Sequence, residues 1–105
     1  MKYALITGGT SGIGFAMAGE FLERGYGVII ASSSRKNLAI AKRKLEVKKS
    51  KIVKNTRYII TIEQDLSVPD GAEKLYHKAK SSGVDIEILV NNAGFGLMGG
   101  TESIR

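Results

Sequence analysis

Apolar residues along this chain come in two rhythms. Four short runs of consecutive apolar residues alternate with longer stretches in which apolar residues recur every three or four positions. The runs are Tyr3–Thr7, Val28–Ser32, Tyr58–Ile62 and Ile86–Val90, the last read as one continuous apolar stretch. A strand covered on both faces has no reason to alternate, so each run reads as a strand buried on both sides. Between the first two, Gly14, Met17, Ala18, Phe21 and Leu22 share one face of a helix running from Gly12 to Arg24. Glu20, Glu23 and Arg24 fall elsewhere on it, and Gly25 suits its C-terminal cap. Leu38, Ala41 and Leu45 form a narrower stripe on a second helix, which Ser34 caps. Ala72, Leu75, Tyr76 and Ala79 form a third stripe. The stretch Ser67-Val68-Pro69-Asp70 predicts the start of that helix, with Pro69 in a first turn that does not need its N–H.

Strands alternating with helices, and strands apolar on both faces, predict a parallel sheet with right-handed crossovers in an α/β Rossmann-like arrangement. The 105 residues suffice for one domain, 1–105, around one core. With 43% hydrophobic and 25% charged residues the composition is that of a globular chain. There is no cysteine and a single histidine, His77, so neither a disulfide nor a metal site is expected. No apolar run approaches a membrane span or a leader peptide, and the expected setting is cytoplasmic.

The first run ends in Thr7-Gly8-Gly9-Thr10-Ser11-Gly12-Ile13-Gly14 and passes directly into a helix. Unpaired N–H groups and the helix dipole make such a junction a site for phosphate. Gly8 would make the turn, Gly12 would admit a pyrophosphate and Gly14 would let the helix approach the strands. The spacing Gly8-x-x-x-Gly12-x-Gly14 departs from the usual Gly-x-Gly-x-x-Gly of dinucleotide-binding folds. On this motif alone, an ordinary strand-to-helix turn is the competing reading.

Two further signatures follow in order: Asp65-Leu66 after the third run, and Asn91-Asn92-Ala93-Gly94 after the fourth. Together with Thr-Gly-x-x-x-Gly-x-Gly they resemble the short-chain dehydrogenases/reductases over nearly the whole chain. The resemblance implies a three-layer fold with about four strands in the order 3-2-1-4, cut short relative to the family. It implies an NAD(P)-binding N-terminal part of an oxidoreductase, whose parent reaction is hydride transfer between a nicotinamide coenzyme and a carbonyl or alcohol. Gly8, Ser11, Gly12, Ile13 and Gly14 would meet the coenzyme's phosphates and ribose. Asp65 and Leu66 would meet the adenine. Asn92, Ala93 and Gly94 would line the adenosine side, and the Asn91 region would steady the central strands.

In dinucleotide-binding folds an acid about twenty positions beyond the glycine loop holds the ribose hydroxyls. This chain has Ala31-Ser32-Ser33-Ser34-Arg35-Lys36 at that place, with no carboxylate. Ser32, Ser33 and Arg35 therefore point to a 2′-phosphate, hence to NADP before NAD; the alternative is that Arg35 and Lys36 merely open a solvated helix. The net charge of +6 is concentrated between residues 35 and 57, where Glu46 alone opposes a run of lysines and arginines. That segment reads as a solvated face, with a polyanion or nucleic acid as the less favoured partner.

The family acts through a serine and a Tyr-x-x-x-Lys pair placed well after Asn-Asn-Ala-Gly. The one such pair here, Tyr76 and Lys80, precedes that motif on a flanking helix, and Tyr76 is read as packing against the sheet. No catalytic residue is assigned, and the chain alone is expected to be inactive; a stand-alone noncatalytic nucleotide-binding module is the alternative. A substrate would meet only a full-length parent. Phe95, Leu97 and Met98 read equally as a substrate-pocket wall or as loop core. The fourth strand, left at an edge, invites self-association.

Overall fold

The computed structural model describes residues 2–10, 12–48 and 58–92. In chain order the elements are β1 (Lys2–Thr7), α1 (Gly12–Glu23), β2 (Gly27–Ser32), α2 (Arg35–Lys48), β3 (Ile59–Glu63), α3 (Gly71–Ser81) and β4 (Asp85–Asn91). The four strands form one parallel sheet in the order β3-β2-β1-β4, the arrangement expected from the pattern and the resemblance.

Each face of the sheet carries its own core. On one side Ala4, Ile6, Val28, Ile30, Ile59, Ile88 and Val90 meet Ala18 and Leu22 of α1 and Leu38 and Leu45 of α2. On the other, Tyr3, Leu5, Ile29 and Ala31 meet Leu75 and Ala79 of α3. Alternate strand residues thus feed opposite layers, which is why β1 and β2 are apolar without a break. Full burial of side chains such as Leu22, Ile30 and Leu45 contributes roughly 1.5–3 kcal/mol each.

Helix ends follow local chemistry. At the end of α1, Tyr26 N–H donates to Phe21 O at 3.0 Å and Gly25 N–H to Leu22 O at 3.1 Å. With Gly25 at φ +90° this is a Schellman closure. The rings of Phe21 and Tyr26 meet edge-on at 5.5 Å between centroids, which supplies its apolar contact. Ser34 caps α2 as expected, its hydroxyl accepting from Asn37 N–H at 3.1 Å.

Three expectations are corrected. The third helix begins at Gly71, with Asp70 before it making no side-chain cap hydrogen bond, and not at Ser67. Ser67 is otherwise engaged: its N–H and hydroxyl both donate to Asp65 Oδ1, at 2.9 and 2.6 Å. This Asx-type turn directs the Ser67 hydroxyl back to Asp65, and a Gly71 N–H bond to Val68 O at 3.0 Å holds Pro69 in a turn ahead of the helix. Secondly, Tyr76 does not pack on the sheet; it is 51% exposed, with Lys80 Nζ 5.9 Å from its ring centre. Leu75 and Ala79 already fill the inward face, and Tyr76 falls beside it. Thirdly, the edge strands are not buried on both faces. Glu87 interrupts the fourth run, lying where the β1–β4 register shifts, and Leu89 is 43% exposed. Among the described residues β4 pairs on one side only.

Candidate functional site

The carboxyl ends of all four strands lie along one edge of the sheet, where ligands of open α/β sheets bind. Register sets Thr7 beside both Ala31 and Asn91, and Ser32 beside Glu63. Over these ends opens a crevice of about 450 Å³. Its walls are Gly8, Gly12 and Ile13 from the first junction, Ala31, Ser32 and Ser33 from the second, Gln64, Asp65 and Leu66 from the third, and Asn92 from the fourth.

Thr7 organises the floor. Its hydroxyl lies 3.1 Å from Asn91 Oδ1 and accepts from Asn92 N–H at 2.8 Å, while Gly8 N–H donates to Ala31 O at 3.0 Å. The ends of β4, β1 and β2 are thereby fixed to one another. Asn91 and Asn92 thus both meet the end of β1 through Thr7.

The glycine junction divides into two roles. Gly12, at φ +60°, adopts a backbone that side chains disfavour, and a Cβ built there meets nothing within 4 Å. The space there is open, and Gly12 lines the crevice. Gly14 is the opposite case: a Cβ would collide with the Gly8 carbonyl and lie 2.8 Å from Asn92 Nδ2. Its lack of a side chain lets the start of α1 close down on β1 and β4. Behind the loop Gly9 is equally constrained, since a Cβ would enter the Ile30 side chain. Ile13, apolar yet 70% exposed, stands uncovered at the crevice mouth.

On the third junction the Asp65 carboxyl is held below the usual carboxylate range, first by the Ser67 hydroxyl and then by the Ser67 N–H. It is thus an anionic acceptor at neutral pH. Beside it Gln64 is 8% exposed. Its Nε2 donates to Asp65 O at 3.1 Å, while its buried Oε1 has no partner among the described residues.

The structure therefore brings Gly8, Gly12, Ile13, Ser32, Ser33, Asp65, Leu66 and Asn92 to one crevice, with Gly14 packed behind it. Arg35 stands apart from the lining, its Nε and Nη2 both 3.1 Å from Glu63 Oε1. Ser11, Ala93 and Gly94, like Phe95, Leu97 and Met98, lie outside the described residues. Sequence reasoning missed Thr7, Ala31 and Gln64. Thr7 and Gln64 were legible in principle, each the polar residue that ends a strand or directly follows it. Among the described residues no group of three His, Asp or Glu side chains could hold a metal, and no helix is long and apolar enough to cross a membrane.

The family model described as short chain dehydrogenase matches residues 2–105. The very-long-chain 3-oxoacyl-CoA reductase of Mus musculus is 38% identical over 93 residues, covering 89% of this chain and 27% of that protein. Among solved structures, the menthone neomenthol reductase of Mentha piperita superposes with a TM-score of 0.77 at 30% identity, over 90% of this chain and 32% of that one. The L-sorbose reductase of Gluconobacter frateurii, complexed with NADPH and L-sorbose, does so at 0.73 and 33% identity, over 89% and 33%. The chain thus spans roughly a third or less of each of these relatives.

Proposed function

The chain belongs to the short-chain dehydrogenase family, and from that premise we propose that it is the coenzyme-binding part of an NADP(H)-preferring oxidoreductase. One observation carries the proposal. The open space before Gly12, the start of α1 and the ends of β2 and β3 face the same crevice, so one elongated dinucleotide can touch them all. In this reading the first-turn N–H groups of α1 hold the pyrophosphate, and Ile13 covers the ribose beside it. Ser32 and Ser33 meet the adenosine ribose, and Asp65, Leu66 and Asn92 enclose the adenine and its sugar. The vacant volume at Gly12 and the filled one at Gly14 fit such a group: the first admits a phosphate, the second sets the depth of the floor.

When bound, the coenzyme supplies or accepts a hydride. The residues lining the crevice bind and orient it. Among the described residues of the lining none is a tyrosine, histidine or lysine, and its one carboxylate, Asp65, is engaged by Ser67; in this reading proton transfer to a carbonyl or alcohol falls to other groups of the parent enzyme. The substrate is a carbonyl or alcohol compound, and the 105 residues form one nucleotide-binding unit of the parent enzyme. Self-association, where it occurs, is proposed to run through β4.

Titration calorimetry with NADP+ and NAD+ on folded protein tests the reading. Heat with either coenzyme, and tighter binding of NADP+, is the expected result. Equal or tighter NAD+ binding removes the NADP preference, and no heat with either coenzyme removes the whole proposal.

A further inference from the structure

We propose that Glu63 is the residue that sets selectivity at the coenzyme's 2′ position, working through its ion pair with Arg35. The inference rests on the dinucleotide reading above. The place where such folds carry a ribose-binding acid, about twenty residues beyond the glycine loop, is Ser32 in this chain, which offers only a hydroxyl. In space, however, a carboxylate stands next to it. Glu63 is the register partner of Ser32 on the neighbouring strand. It has the same parity along β3 as Ile59, which faces the α1/α2 layer, and so turns toward the start of α2. There Arg35 meets it, both guanidinium contacts falling on the single oxygen Oε1. The residues flanking the pair, Ser32, Ser33 and Gln64, line the crevice, which puts the pair at its rim.

Arg35 is the cation in the first turn of α2 that meets Glu63, and it is thus already engaged. The engagement is exchangeable, because the side chains are 86% and 45% exposed and an ion pair that open to water holds its partners weakly. A phosphate, with its stronger charge and forked acceptors, takes the guanidinium over. Glu63 then remains beside the phosphate as a like charge that has lost Arg35, with Lys78 Nζ 2.9 Å from its backbone oxygen as the remaining cation. Toward a coenzyme with a free 2′-hydroxyl the same carboxylate is harmless, or accepts its hydrogen bond. One side chain thereby acts in opposite directions on the two coenzymes. The chain keeps NADP preference but holds it below what Ser32, Ser33 and Arg35 would give alone.

Glu63→Gln removes the charge and keeps the shape, and its exposure makes the substitution tolerable to the fold; Glu63→Ala serves as a second variant. Calorimetry is run with both oxidised coenzymes on the parent chain and on each variant. The expected result is NADP+ binding about three- to tenfold tighter, with NAD+ binding unchanged or weaker and the gain shrinking as salt is raised. Arg35→Gln should weaken NADP+ alone. A merely structural role for Glu63 would move both coenzymes together. Parallel shifts, an unchanged ratio or weaker NADP+ binding in Glu63→Gln would overturn the inference while leaving the dinucleotide site standing. Failure of the parent chain to bind either coenzyme would overturn both.

Discussion

Gln64 is a buried polar side chain whose hydrogen bonding is only partly met among the described residues. Its side chain is buried at the wall of the crevice with Oε1 unpaired among the described residues, and a buried acceptor without a donor costs about 1–3 kcal/mol. The one bond it makes, from Nε2 to Asp65 O, contributes about 0.5–1.5 kcal/mol. Asp65 lies at the surface, where water can replace that donor. Gln64→Met, of similar length and without the orphaned oxygen, is therefore expected to raise stability by up to about 1 kcal/mol, read as a higher urea midpoint at unchanged slope. A lower midpoint would mean that Oε1 has a donor in solution. At this scale the sequence was a good guide to residue type and a poor one to partnership. No acid follows β2 in the sequence, yet the register sets a carboxylate, Glu63 of another strand, beside Ser32. Only register reveals that Ser32 and Glu63 are neighbours.

Among the elements, α2 and α3 offer a controlled comparison of helix starts. Ser34 satisfies an amide at the start of α2, whereas Asp70 makes no such bond and its carboxylate instead lies 3.6 Å from Lys74 Nζ. Ser34→Ala should cost about 1 kcal/mol. Asp70→Ala should cost only a few tenths, the value of an exposed i,i+4 pair. Chemical denaturation of the two variants side by side checks the order, and equal losses would contradict the assignment of the caps. The strands and the first two helices were legible because β1, β2 and the Leu38, Ala41 and Leu45 stripe carry their periodicity in unbroken form. The start of α3 was not, since Ser67 fits a capping pattern equally well whether its hydroxyl turns forward to a helix or back to Asp65. Glu87 and Leu89 in β4 misled for a related reason: burial at an edge depends on what lies beyond the strand, which local pattern does not encode.

At the level of the whole molecule, the central strands β1 and β2 are sealed, while β4 presents an apolar side chain and one unpaired backbone edge among the described residues. Such an edge is a template for another chain. If the proposed association runs through it, Leu89→Lys should lower the sedimentation-detected dimer or aggregate fraction at a given concentration without loss of secondary structure. An unchanged fraction would locate the contact elsewhere. The clasp at Thr7 has a different reach. Its bond with Asn92 joins residues 85 positions apart, so the floor of the crevice closes only when β1 and β4 have both been laid down. Contacts of such sequence separation form late, after the entropy of a large loop has been overcome. If the crevice holds the proposed coenzyme, affinity for it is acquired late in folding. A ligand that recognises only the finished clasp also draws the equilibrium toward it, so that the nucleotide would serve this chain as the last fastening of its own architecture.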